Sequence, residues 1–177
     1  MHQAMVAIIL SEIKLKFKNE ENFCKNYLNI STEEWEHWKQ GTGTLSQGVM
    51  QKVKGLFSDY EWMLVNKVGE QAMFFPEKRH YVVQEFRRLK TMIAKCWIKL
   101  PPCHVELITQ STTDAMEETI NLKVTMRYGE WGYDDILNFA MPAQLAKQIE
   151  GTNKGLLEWV NKDLIHVYVE NNEENKE

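Results

Sequence analysis

Apolar positions in the first third of the chain recur at helical spacing. Met5, Ile8, Ile9, Ile13 and Phe17 share one face of a helix over residues 3–17. Asn19 is placed to cap a short helix, EENFCKNYL, that buries Phe23, Cys24 and Leu28. The stretch NIS interrupts it. Ser31 or Thr32 then caps TEEWEHWKQ, with Ser31 and Glu34 at capping-box spacing and Gly41 as the stop. Trp35 and Trp38 lie three apart on one face of this third helix, and an aromatic stripe of that kind reads as core. His37 lies off the stripe, at the edge or in solvent. After the loop TGTL, Ser46 caps a fourth helix whose inward face is Val49, Met50, Val53, Leu56 and Phe57. Ser58 or Asp59 opens a fifth, through Tyr60, Trp62, Met63, Leu64 and Val68. Five short helices with short connections predict an all-α domain over residues 1–70.

Prolines bracket the next element, PEKRHYVVQEFRRLKTMIAKCWIKLPP, which predicts a long basic helix over residues 76–100. Val82, Phe86, Leu89, Ile93, Cys96 and Leu100 form a heptad-like stripe, and Arg87, Arg88, Lys90, Lys95 and Lys99 point away from it. The stripe fits either a helix packed on a sheet or a dimer seam. Beyond it the period changes from helical to alternating. Val105 and Leu107 in HVELITQ, and Ile120, Leu122, Val124 and Met126 in ETINLKVTMRYG, face one way, and DDILNFAM is a third strand. PAQLAKQIEG follows, and NKGLLEWVNKDLIHVYV is a helix, or a helix and then a strand. These elements predict a small α+β domain with an antiparallel sheet over residues 101–170, ahead of a polar, disordered tail at 171–177.

Residues 19–57, NEENFCKNYLNISTEEWEHWKQGTGTLSQGVMQKVKGLF, resemble the helix-turn-helix of lambda-repressor/Cro-like proteins. Cys24 stands at the small position of the first helix, Ile30 and Ser31 in the turn, and Trp35 and Trp38 at buried positions. Gly41 stands at the stop, and Leu45, Val49, Val53 and Phe57 match the following core. The resemblance implies a mixed fold: an N-terminal helix-turn-helix domain, a connecting helix and a C-terminal domain for dimerisation or sensing. It also implies a cytoplasmic, homodimeric regulator of transcription. Its third helix would enter the major groove of double-stranded DNA with Ser31, Thr32, Glu33, Glu34, His37 and Lys39. Lys25, Lys52, Lys54, Arg87 and Arg88 would contact phosphate.

Charge changes that picture. The net charge of −4 divides as −1 over residues 1–76, +5 over 77–99 and −8 over 100–177. The basic middle fits a polyanion, or simply the acidic remainder of the chain. The docking face of the third helix carries Glu33, Glu34 and Glu36, with Glu20 and Glu21 on the helix before it. Those carboxylates oppose a phosphate backbone. The competing expectation is therefore a protein-interaction module that keeps the helix-turn-helix as a scaffold and binds no DNA.

The remaining chemistry is sparse. Cys24, Cys96 and Cys103 lack metal-ligand spacing and read as reduced thiols. Cys103 and His104 are adjacent, so a strand sends them to opposite faces. YGEWGYDD, with Glu130, Asp134 and Asp135, reads as a hairpin turn before it reads as a metal loop. No phosphate-binding glycine loop or zinc spacing occurs. The expectation is a protein that is not an enzyme and has no cofactor or metal. No apolar run reaches membrane-spanning length and no signal peptide is expected.

Overall fold

The first apolar stripe becomes α1 (His2–Lys16), which buries Ala4, Val6, Ile8, Ile9 and Ile13, in the computed structural model. The structure describes residues 1–17, 19–110, 119–149 and 152–170, so the tail expected at 171–177 lies outside the described residues. The chain divides into two compact units, one of Met1–Ser58 and Trp62–Phe86, the other of Asp59–Glu61 and Arg87–Glu177.

In the first unit, α2 (Glu20–Asn22) widens into a π-helical segment (Phe23–Leu28) that buries Phe23, Cys24 and Leu28. α3 (Thr32–Gln40), α4 (Gln47–Lys54) and α5 (Asp59–Phe74) follow. Three cap residues behave as the sequence indicates. The side chains of Asn19, Ser31 and Ser46 accept from the amides of Asn22, Glu34 and Val49, supplying partners to amides that a helix start leaves unmatched. Gly41 closes α3 at φ 74°, a left-handed conformation that glycine adopts without strain.

The helix expected over 76–100 is a 3-10 turn (Pro76–Tyr81) followed by α6 (Val82–Trp97). Its buried stripe departs from the heptad after Phe86. Leu89 and Ile93 are half-buried and Cys96 and Leu100 are exposed, whereas Arg87, Lys90, Thr91, Ala94 and Trp97 are buried. The buried line from Val82 through Phe86, Lys90 and Ala94 advances four residues at a time. A heptad would require steps alternating between three and four.

In the second unit, β1 (Cys103–Gln110), β2 (Thr119–Met126) and β3 (Asp135–Pro142) form an antiparallel sheet in chain order. The register sets Val105 opposite Val124 and Val124 opposite Leu137, and likewise Leu107, Leu122 and Phe139 in a row. Alternation then delivers Ile120, Leu122, Val124, Met126, Leu137, Phe139 and Met141 to the buried face. A 3-10 turn (Ala143–Gln148) leads to α7 (Asn153–Lys162), which buries Leu156, Trp159 and Val160. The chain stays helical through a π-turn (His166–Glu170), which settles the choice between helix and strand there. The fold is thus mixed, a helical N-terminal unit and a small α+β unit with a three-stranded antiparallel sheet. Among the described residues, no helix is long and apolar enough to cross a membrane.

Candidate binding surface on the third helix

Three residues connect the π-helical segment to α3. Asn29 takes the left-handed conformation (φ 59°, ψ 49°), the amide of Ile30 returns to the carbonyl of Cys24 at 3.1 Å, and Ser31 caps α3. Asparagine tolerates this conformation better than other non-glycine residues, so a reversal that needs positive φ is met without glycine. The result is two short helices joined by a three-residue turn.

The inner face of α3 is aromatic. Trp35 and Trp38 are buried and stack with ring centroids 4.8 Å apart, and Phe23 meets Trp35 edge-on at 5.5 Å. Polar ends find partners. The Trp35 indole Nε1 donates to Glu20 Oε2 at 2.9 Å, and His2 Nε2 lies 2.7 Å from the Trp38 carbonyl oxygen. Burying the tryptophans on one side leaves Ser31, Thr32, Glu33, Glu34, Glu36 and His37 exposed on the other. Glu33 and Glu34 have no cationic partner among the described residues. His37 is drawn into the helix end, its Nδ1 3.1 Å from Thr42 Oγ1.

The cations expected to meet phosphate are mostly occupied within the fold. Lys39 Nζ lies 2.6 Å from both Glu20 Oε2 and Glu36 Oε1, and its side chain is mostly buried. Lys52 Nζ donates to the carbonyls of Tyr27 (3.1 Å) and Leu28 (3.4 Å), closing the end of the π-helical segment. Lys54 Nζ sits 5.7 Å over the Trp62 ring. Lys25 pairs with Glu21 one helical turn away, though both are exposed and such a pair is weak. Arg88 is exposed on α6. Arg87 departs from the expected outer basic face and is buried instead. Its guanidinium carbon lies 5.5 Å over the Tyr168 ring, so it is not presented to a phosphate in solvent. Lys90, expected beside it in solvent, is fully buried.

Electrostatics single out Glu20, which the sequence offers only as a charge opposed to DNA. Burial pushes its carboxyl up, but hydrogen bonds from Lys39 and Trp35, with the Lys39 charge, outweigh this and hold it below the ordinary range. Burial likewise lowers Lys39, and its bonds to Glu20 and Glu36 reverse this, leaving it above the usual lysine value. Glu20, Lys39 and Glu36 therefore form a charged chain along one flank of α3. Burial, with the charge of Glu20, pushes the Cys24 thiol up to about 11, which leaves it a neutral core group.

The second unit hides a polar cluster that the sequence does not reveal. Lys90 Nζ lies 3.0 Å from Glu61 Oε1 and 3.2 Å from the Tyr168 hydroxyl. Phe139 and Tyr168 rings flank its ammonium at 4.9 and 5.2 Å. Glu61 Oε1 also accepts from the Asn138 amide of β3 at 2.6 Å. Glu61, Lys90 and Tyr168 are all excluded from water, so the cluster reads as structural. In the 128–135 loop, Tyr128 donates to Asp135 at 2.8 Å, which raises its phenol, while Glu130 and Asp134 are exposed. Among the described residues, no group of three or more His, Cys, Asp or Glu side chains is placed to hold a metal.

Comparison with known protein families, curated proteins and solved structures finds no match to the chain.

Proposed function

We infer that the N-terminal unit is a non-enzymatic protein-interaction module that presents the outer face of α3 to a basic partner. One observation carries this reading. Lys39 and Lys52 are committed to Glu20, Glu36 and main-chain carbonyls, while Glu33 and Glu34 stand exposed without cationic partners among the described residues. Duplex binding draws its affinity from neutralised phosphates. Releasing Lys39 for that purpose would take the ammonium partner from Glu20, a half-buried carboxylate, and leave it the Trp35 indole. Opposite charge across an interface steers encounter and fixes register, and Glu33, Glu34 and Glu36 offer it to lysines or arginines.

A second reading, a DNA-binding transcriptional regulator, draws support from the three-residue turn with left-handed Asn29 and from the Ser31 cap. In it, Lys25, freed from its exposed pair with Glu21, would supply a phosphate contact beside α3.

The two readings separate in a titration of isotopically labelled protein with octalysine, followed by amide chemical shifts. The first predicts saturable shifts centred on Thr32, Glu33, Glu34 and His37, lost in E33K/E34K. Shifts confined to the more acidic region beyond residue 100 would count against it.

A further inference from the structure

The first unit carries a second unusual surface, at the end of α5. Met73 is 47% exposed, Phe74 74% and Phe75 49%, and Tyr81 at the close of the following 3-10 turn is 65% exposed. Apolar residues scattered singly over a surface need no explanation, but a run of this kind does. The run is not a frayed helix end. Arg79 Nε donates to the Ala72 carbonyl at 3.1 Å, and the Phe75 amide to the Gln71 carbonyl at 2.9 Å. Lys78 lies 5.4 Å over the Phe75 ring and 3.3 Å from Gln71 Oε1. The carbonyls that a helix end leaves open are thus used to hold the turn, and the turn holds the aromatics outward. Beside the run lies a groove of about 380 Å³ lined by Met1, His2, Gln3, Ala4, Ala72 and Arg79, with Met1 itself 51% exposed.

We propose that this surface is a two-fold contact between two copies of the chain, with Phe74 and Phe75 of each copy packed on the other. Charge favours a second copy over a polyanion or a basic protein. Residues 70–81 carry Glu70, Glu77, Lys78 and Arg79, two acids against two bases, so the patch does not repel its own image. The α3 face, with Glu33 and Glu34 exposed, does repel its own image. Area agrees. At about 150–250 Å² per aromatic side chain, the exposed parts of Met1, Met73, Phe74, Phe75 and Tyr81 come to roughly 500 Å² per copy. A symmetric pair then buries at most about 1,000 Å² in total, at the lower limit of biological interfaces and in the range of weak, reversible contacts. A two-fold contact also closes on itself and leaves no sticky edge for further copies.

Sedimentation of the full chain over the micromolar range tests the assembly, with wild type, F74E and F74E/F75E compared at matched far-ultraviolet circular dichroism. The wild-type mass is expected to rise with concentration from the 20.9 kDa chain mass towards twice that value, and both variants to stay at the single mass. A wild type that stays monomeric throughout, or a dimer that both variants leave intact, overturns the proposal. Fluorophenylalanine-labelled wild type gives a readout that needs no substitution. The resonances of Phe74 and Phe75 should shift with concentration while those of buried Phe23, Phe86 and Phe139 hold still. Concentration-dependent shifts at the buried set alone would place the contact elsewhere and overturn it.

Discussion

Glu20 shows how one residue couples burial, charge and surface character. Its carboxylate takes the Trp35 indole and the Lys39 ammonium, tying the start of α2 to α3. The native pKa of Glu20 lies below its ordinary value of 4.5. The stability it contributes is therefore fully present above about pH 4.5 and is lost as the pH falls through the lowered native value. Lys39 has the opposite sign. Its contribution is complete below its ordinary value of 10.5 and fades as the pH rises through the raised one. E20Q should accordingly lower the urea midpoint at neutral pH, and the gap to wild type should narrow as the pH falls below 4.5 through the lowered native value. Midpoints of both proteins across that range check it, and a gap that stays constant with pH would show the carboxylate to be unimportant. Sequence could not single out Glu20, because an acid in the first turn of a helix is also favoured by the macrodipole alone. Asn29 is similar. Its place between two helices was legible, whereas its left-handed conformation was not.

At the scale of elements, local signals were the legible ones. Asn19, Ser31, Ser46 and Gly41 mark their helix ends because each satisfies or permits a backbone need within a few residues. The strands were legible because alternation survives in Ile120, Leu122, Val124 and Met126. The buried face of α6 was not, because distant partners set it. Lys90 resembles a solvent residue until Glu61 of α5 and Tyr168, 78 positions later, are brought beside it. With both charges excluded from water, removing one takes from the other the ion pair it makes at 3.0 Å. K90M should cost about 3–5 kcal/mol of stability, and E61Q/K90M should recover much of it, since a glutamine amide there can still accept from the Asn138 backbone. Urea denaturation of the single and double variants decides this. A double variant no more stable than K90M would mean that the charge pair is not what the cluster needs.

Over the whole molecule, the basic middle segment that sequence alone offers to a polyanion keeps Arg88 and Lys99 exposed and Lys95 half-buried, but not the full basic face expected of it. Arg87 and Lys90 supply two of its charges and both are buried in the second unit. Lys78 and Arg79 are bonded to the end of α5 in the first unit. What the N-terminal unit presents is the acidic outer face of α3 and the aromatic end of α5. The central claim is that the α3 face is turned to protein and not to DNA. Anisotropy of a fluorescein-labelled duplex, titrated with the full chain at low and moderate salt, tests it most directly when wild type and E33Q/E34Q are compared. The expected result is no saturable binding by either protein even at low salt. Saturable binding whose logarithm falls linearly with the logarithm of salt, and which tightens in E33Q/E34Q, would contradict it and restore the DNA reader.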